Sequence, residues 1–400
     1  MSNVLNSERF LSPRVRDVPP SGIRRFFDIA GTMKDAISLG VGEPDFVTPF
    51  HIRNAAIDSL LEGETQYTPN RGLLTLRREI GRYLENRFEL SYDPEKEILV
   101  TVGASEAIDL ALRATVCPGD EVLVPDPGYV SYAPCVTFAG GTPVCLSTDM
   151  ASDFRIRPET LEKAITPRTK AIIFPYPNNP TGVVMQRQDI EALLPLIVRH
   201  DLLVISDEIY AELTYDGVTH TSIAAMPQMK DRTVFINDFS KAFAMTGWRL
   251  GYACAPQPIL DQMNKIHQYT IMCASRQSQV AAQEALACGR ENGYKDIIAM
   301  RDSYDRRRRL MVDTFERMGL HCSVPKGAFY CFPSIRSTGL TSEEFCTGLL
   351  RTERVVCVPG TAFGPAGEGH IRCCYATSLN QLNEAFVRIE RYLRQLHSEN

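Results

Sequence analysis

What the chain lacks narrows its chemistry first. No apolar run approaches the ~20 residues that a membrane span needs, so no membrane partner is expected. Met1 to Asp17 is polar and charged, with no apolar h-region, so no secretory signal is read. There is no excess of positive charge: 43 Lys and Arg against 48 Asp and Glu leave a net charge of −5. That argues against a general nucleic-acid binder. The 12 cysteines include no C-x-x-C pair. Zinc-site spacing is therefore absent, no metal is expected, and the thiols (Cys117, Cys254, Cys331 and Cys357 among them) read as small reduced core residues of a cytoplasmic protein. Neither G-x-G-x-x-G nor G-x-x-x-x-G-K occurs, so neither a dinucleotide loop nor an ATP loop is indicated.

What is present is a 400-residue chain, 44% hydrophobic and 23% charged, the composition of a globular protein of two or three domains. Between residues 97 and 255, short β-branched runs alternate with helical stretches. The clearest runs are 98–102, 121–124, 171–174, 202–205 and 233–236. Near-continuous apolar runs fit strands buried on both faces, and the alternation predicts an α/β fold with a mostly parallel central sheet. In such sheets ligands collect outside the carboxyl ends of the strands. From about residue 289 the pattern changes. A long charged helix over Gly293–Met318 carries Arg306 to Arg309 among Asp302, Asp305, Asp313 and Glu316, which predicts a solvated helix face. Short strands and a last amphipathic helix over Leu379–Leu396 follow. The division expected is a large domain over 52–288 and a smaller α+β domain from 1–51 plus 289–400. Ser21 is placed to cap a short helix over Ile23–Thr32.

Each expected strand end offers one chemical piece. After the run at 98–102 comes Gly103-Ala104-Ser105, opening a helix. Backbone N–H groups there either bind a phosphate or form an ordinary turn. After the next run, Tyr129 is either a platform for a flat heterocycle or a core aromatic. Pro175 to Gly182 is a rigid, proline-rich turn containing Asn179. Asp207 ends an apolar run, where a carboxylate is costly unless paired; the alternative is a helix N-cap. Lys241 follows Val234-Phe235-Ile236 and is trailed by small residues. A lysine in such company either has a lowered pKa and serves as an amine nucleophile, or is one more solvated surface cation. Arg249 lies two helical turns further on and could hold an anion near the same place.

The stretch Asp238-Phe239-Ser240-Lys241 through Trp248-Arg249-Leu250-Gly251-Tyr252 resembles the lysine motif of the class I/II aminotransferases, the pyridoxal-phosphate enzymes of fold type I. The segments Gly40 to Phe46, Asn179-Pro180-Thr181-Gly182, Gly327 to Tyr330, Val358 to Gly364 and His370 to Ala376 resemble family segments in the same order. The resemblance covers nearly the whole chain and is most like the prokaryotic aspartate and aromatic aminotransferases. It implies pyridoxal 5′-phosphate as cofactor, amino-acid and 2-oxo-acid substrates, and ping-pong transfer to 2-oxoglutarate. It also implies a homodimer with shared sites, in which Tyr67 reaches the neighbouring subunit's cofactor phosphate.

The same resemblance assigns roles. Lys241 is the amine that links to the cofactor, and Asp207 the carboxylate at the pyridine nitrogen. Asn179 and Tyr210 face the ring hydroxyl, and Tyr129 covers the ring. Gly103, Ala104, Ser105, Ser240 and Arg249 hold the phosphate. Gly40, Asn179 and Arg372 bind the substrate, whose carboxylate a planar guanidinium suits. Arg113 and Arg71 are candidates for a second carboxylate. Two departures stand out: Asp238, where many relatives carry Ser, Thr or Gly, and Cys374 in place of the usual Ser. Asp238 would repel a phosphate unless it turns away or Ser240 takes over its place. Rival readings on the same scaffold are a β-lyase and a non-catalytic regulatory domain.

Overall fold

A computed structural model describes residues 7–23, 33 and 35–398. The helix expected over Ile23–Thr32 falls outside them apart from Ile23. A brief strand, β1 (Ile37–Ser38), precedes the main sheet. The five β-branched runs form β2 (Ile98–Thr101), β3 (Glu121–Asp126), β5 (Thr169–Phe174), β6 (Leu203–Asp207) and β7 (Thr233–Asp238). Two further strands, β4 (Thr142–Ser147) and β8 (Gly251–Cys254), complete a seven-stranded sheet in the order β2-β8-β7-β6-β5-β3-β4. The four pairings from β7 to β4 are parallel, whereas β8 runs antiparallel to both of its neighbours. β2 and β7 therefore point the same way, and the carboxyl ends of β2, β3, β5, β6 and β7 share one edge of the sheet.

Burial explains which strands the sequence announced. Every residue of β2, β3 and β7 is buried, so these strands read as unbroken apolar runs. β4 is an edge strand carrying Pro143 in which only Leu146 is buried, which gives no apolar signature. β8 is only four residues long and starts two residues after Arg249.

The C-terminal part has its own core. β9 (Tyr330–Cys331), β11 (Val358–Pro359) and β12 (Ile371–Cys374) form an antiparallel sheet in the order β11-β12-β9, and β1 pairs in parallel with β10 (Val355–Val356). Helices Lys295–Arg317, Ser342–Glu353 and Leu379–Ser398 pack Phe315, Phe345 and Phe386 into this core. Tyr210, Leu213 and Tyr215 belong to it as well, although they follow β6 of the large sheet. Among the twelve free cysteines, Cys254, Cys331 and Cys357 are buried as expected, but Cys117 is exposed at a turn.

The arginine run is not the solvated face that its composition suggests. Arg306 and Arg309 are exposed, but Arg307 and Arg308 are buried. Arg307 Nη1 donates to both carboxylate oxygens of Asp45 at 2.8 Å. Arg308 donates to Asp305 and Asp216 at 2.6 and 2.7 Å and to the Pro325 carbonyl at 3.0 Å. Four consecutive residues sweep most of a helical turn, so two of them must face inward. A buried ion pair that loses one partner leaves an uncompensated charge. Arg308→Ala is expected to cost about 3 kcal/mol or more in denaturant unfolding. Arg309→Ala, on an exposed side chain, should cost no more than about 1 kcal/mol.

Candidate active site

The shared carboxyl edge of the sheet opens onto a cavity of about 1630 Å³. Ala104, Ser105, Tyr129, Asn179 and Asp207 reach it from the ends of β2, β3, β5 and β6. Ser240, Lys241 and Arg249 reach it from beyond β7, Tyr210 from beyond β6, and Arg372 from β12 of the second core. Ten of the thirteen residues singled out in the sequence thus line one space.

Lys241 sits in a turn, partly buried, with its Nζ donating to the Gly42 carbonyl at 2.9 Å. The rings of Phe329 and Tyr210 lie 5.8 and 6.0 Å from that nitrogen. Burial lowers the amine's pKa, while the Asp238 carboxylate pulls the other way. An amine so placed carries a larger neutral fraction than a surface lysine, and the neutral form is the nucleophile.

Asp207 is 4% exposed. Its Oδ2 accepts from the Tyr132 hydroxyl at 2.7 Å, and its Oδ1 from the Ile209 N–H at 3.4 Å. Burial pushes its carboxyl up to about 6 despite the Tyr132 bond, and the nearby Asp238 adds to the rise. No ion pair to Asp207 occurs among the described residues. A buried carboxylate short of positive charge is the partner a protonated ring nitrogen needs.

An anion cup forms where three segments meet. Gly103 has φ of +72° and begins the helix Gly103–Thr115, whose N-terminal N–H groups carry positive partial charge. A Cβ at Gly103 would lie 2.8 Å from Arg249 Nη2, and one at Gly251 would lie 2.7 Å from the Ala104 nitrogen. Ser240 Oγ is buried and has no hydrogen-bond partner among the described residues. A guanidinium, a helix N-terminus and an orphaned hydroxyl together suit a phosphate group. Arg249 is not reached through two turns of helix, as the spacing suggested. It follows a single 3₁₀ turn, Thr246–Trp248, adopts a left-handed φ of +50°, and donates Nη1 to the Thr246 carbonyl at 3.1 Å. Asp238 does not turn away either: it lines the cavity, 7% exposed, with Oδ1 accepting from the Ser240 N–H at 3.0 Å.

Arg372 is 2% exposed and lies between the rings of Tyr330 and Phe363, with its guanidinium carbon 4.5 and 4.8 Å from their centroids. Its Nη1 donates to Asn179 Oδ1 at 2.9 Å and its Nη2 to the Gly40 carbonyl, while Nε is buried without a partner among the described residues. The three residues that the resemblance assigns to the substrate are therefore in direct contact. Tyr210 and Tyr330 share a hydroxyl–hydroxyl bond of 2.8 Å at the same wall.

The remaining expectations fall elsewhere. Tyr67 is 77% exposed and does not line this protomer's cavity. Arg71 and Arg113 do not line it either: Arg71 is held by Asp261 and the Lys96 carbonyl, and Arg113 lies 3.3 Å from Asp109 on its own helix. Sequence reading missed Tyr132, Tyr330 and Gly42. Tyr132 and Asp207 are 75 positions apart, and no local signal joins them. The Gly42 contact is made by a carbonyl, which any residue would supply.

Comparison with known proteins agrees with this geometry. YugH of Bacillus subtilis (strain 168) is 53% identical over 386 residues, covering 96% of this chain and 99% of that one. An aspartate aminotransferase of Pyrococcus abyssi (strain GE5 / Orsay) is 48% identical over 385 residues, covering 96% and 98%. The crystal structure of an aromatic aminotransferase from Pyrococcus horikoshii OT3 superposes with a TM-score of 0.89 at 46% identity, over 93% of this chain and 99% of that one. The family model for aminotransferase class I and II matches residues 34–389. An α/β sheet with this lysine, carboxylate and arginine around one cavity, and relatives matched over nearly their full length, make the chain a member of the class I and II aminotransferases.

Proposed function

We propose that this chain transfers the amino group of an L-amino acid of the aspartate or aromatic type to 2-oxoglutarate. The proposed cofactor is pyridoxal 5′-phosphate, and the proposed form is a cytoplasmic homodimer. The observation that carries the proposal is the convergence of the Lys241 amine, the Asp207 carboxylate and the Arg372 guanidinium on one cavity. The aspartate and aromatic relatives support the substrate class. In the dimer, exposed Tyr67 is assigned to the neighbouring site. The proposed domains are 52–288 and 1–51 plus 289–400, a division supported by the pairing of β1 with β10 across the chain.

When bound, the cofactor supplies an aldehyde for the amine and a ring that withdraws electrons from the substrate α-carbon. The protein's part follows from its residues. Asp207, oriented by Tyr132, would keep a proton on the ring nitrogen. Asn179 and Tyr210 would hold the ring hydroxyl, and Tyr129 would cover the ring. Gly103, Ala104, Ser105, Ser240 and Arg249 would hold the phosphate. Arg372, with Gly40 and Asn179 beside it, fixes the α-carboxylate. Lys241 Nζ would take and return the α-proton as general acid–base. With those cations assigned, Arg14 on the N-terminal segment is the remaining basic side chain lining the cavity among the described residues. It is proposed to read a second carboxylate.

Three outcomes follow. Lys241→Ala should lower kcat/KM for every amino donor by about a thousandfold or more, with binding of the phosphorylated cofactor retained. Arg14→Ala should reduce kcat/KM for aspartate at least tenfold more than for phenylalanine; equal losses would remove Arg14 from substrate recognition. Asp207 concerns stability. Its folded pKa of about 6 lies above the ordinary 3.8, so its contribution is full below pH 4 and is lost as pH rises through 6. The difference corresponds to roughly 3 kcal/mol. Cofactor-free Asp207→Asn should therefore melt higher than the cofactor-free wild type at pH 8, yet show almost no turnover.

A further inference from the structure

The cup assigned to the phosphate contains a carboxylate. Asp238 ends β7, lines the cavity, and faces the groups that would surround a bound anion. Its own turn brings Ser240 and Lys241, the turn before β8 brings Arg249, β8 brings Tyr252, and β6 brings Asp207. Gly251 lies against Gly103 and Ala104, and a Cβ added there would come within 3.0 Å of the Asp238 Cβ, so Asp238 sits beside the start of the helix that opens the cup. Its Oδ1 is held by the Ser240 N–H at 3.0 Å. Burial already raises its carboxyl, against the pull of Lys241.

Charge counting shows the consequence. A phosphate dianion and an ionised Asp238 bring three negative charges to a cup whose fixed positive charge is Arg249 and about half a charge from the helix N-terminus. Lys241 adds its charge only while its amine is free and protonated, a fraction that burial lowers and that is the same amine in wild type and in both variants. Like unit charges about 4 Å apart near a protein surface disfavour each other roughly a thousandfold. Placing a proton on a phosphate at pH 7 costs only about tenfold, since its second pKa is near 6. The proton is the cheaper remedy.

We propose that Asp238 makes cofactor binding proton-coupled: the carboxyl and the cofactor phosphate share one proton taken from solvent on binding, so the protein loosens its cofactor as pH rises. No bond to the phosphate forms or breaks; the only chemical change is that one proton moves from water or buffer to the carboxyl–phosphate pair. The inference rests on the pyridoxal-phosphate reading of the site.

The test uses cofactor-free full-length protein and pyridoxamine 5′-phosphate, which carries the ring and phosphate but cannot condense with Lys241. Binding is read from the fluorescence of Trp248, the chain's single tryptophan, between pH 6.5 and 9. Protons taken up are counted by calorimetry in two buffers of different ionisation enthalpy. Asp238→Asn keeps the acceptor for the Ser240 N–H, and Asp238→Ser serves as a second, smaller neutral variant. Wild-type affinity should fall more steeply with pH than that of either variant, by up to tenfold per unit. Both variants should bind at least tenfold tighter at pH 8, and wild type should take up about one proton more. Proton coupling at the ring nitrogen is common to all three proteins and cancels in the difference. Equal slopes and equal proton uptake, or weaker binding by both variants, would overturn the role of Asp238. Failure of all three proteins to bind the probe would instead overturn the cofactor reading on which it stands.

Discussion

The site depends on one electrostatic constraint: a carboxylate, Asp207, is held in the sheet edge with a tyrosine hydroxyl and a backbone N–H for company and no cation among the described residues. Removing a charge from water without a partner is unfavourable. The protein accepts that disadvantage at the end of β6, where neighbouring strands and Tyr132 fix the side chain before any ligand arrives. The surrounding pieces make sense as the complement to that charge. The lysine amine beyond β7 loses proton affinity through burial, and the arginine on β12 is desolvated between two rings. Electrostatic groups fixed in advance need no reorganisation when charge develops, which is the largest general source of enzymatic rate.

The two cores are joined at the same place. Tyr210 follows Asp207 by three residues, yet its ring packs in the C-terminal core, and its hydroxyl meets Tyr330. Arg372 reaches back the other way, from β12 to Asn179 beyond β5. Arg307 and Arg308 pin the long helix to Asp45 and Asp216. The cavity therefore lies between hydrophobic cores, where polar side chains from both sides converge.

Much of this was readable in the chain because the sheet is buried on both faces. Strands β2, β3, β5, β6 and β7 announced themselves as apolar runs, and the chemistry falls where those runs stop. β4 and β8 were not readable: one is an exposed edge strand, and the other is a four-residue strand hidden behind a turn. The arginine run misled because composition cannot tell which residues of a helical turn face inward. Lys241, Asp207 and Arg372 were legible as residue types in characteristic company. Tyr132 was not, since its role exists only through a contact 75 positions away. Arg71 and Arg113 were plausible by proximity in sequence, but they do not line the cavity of their own chain and are engaged by Asp261 and Asp109.

Gly103 and Gly251 contribute no functional group, yet they set how thin the wall between helix, strand and arginine can be. Addition of one methyl group at either position would displace a neighbour, with no change in any catalytic side chain. Tolerance to mutation at the cup is thus narrow at two positions that a search for reactive residues would pass over.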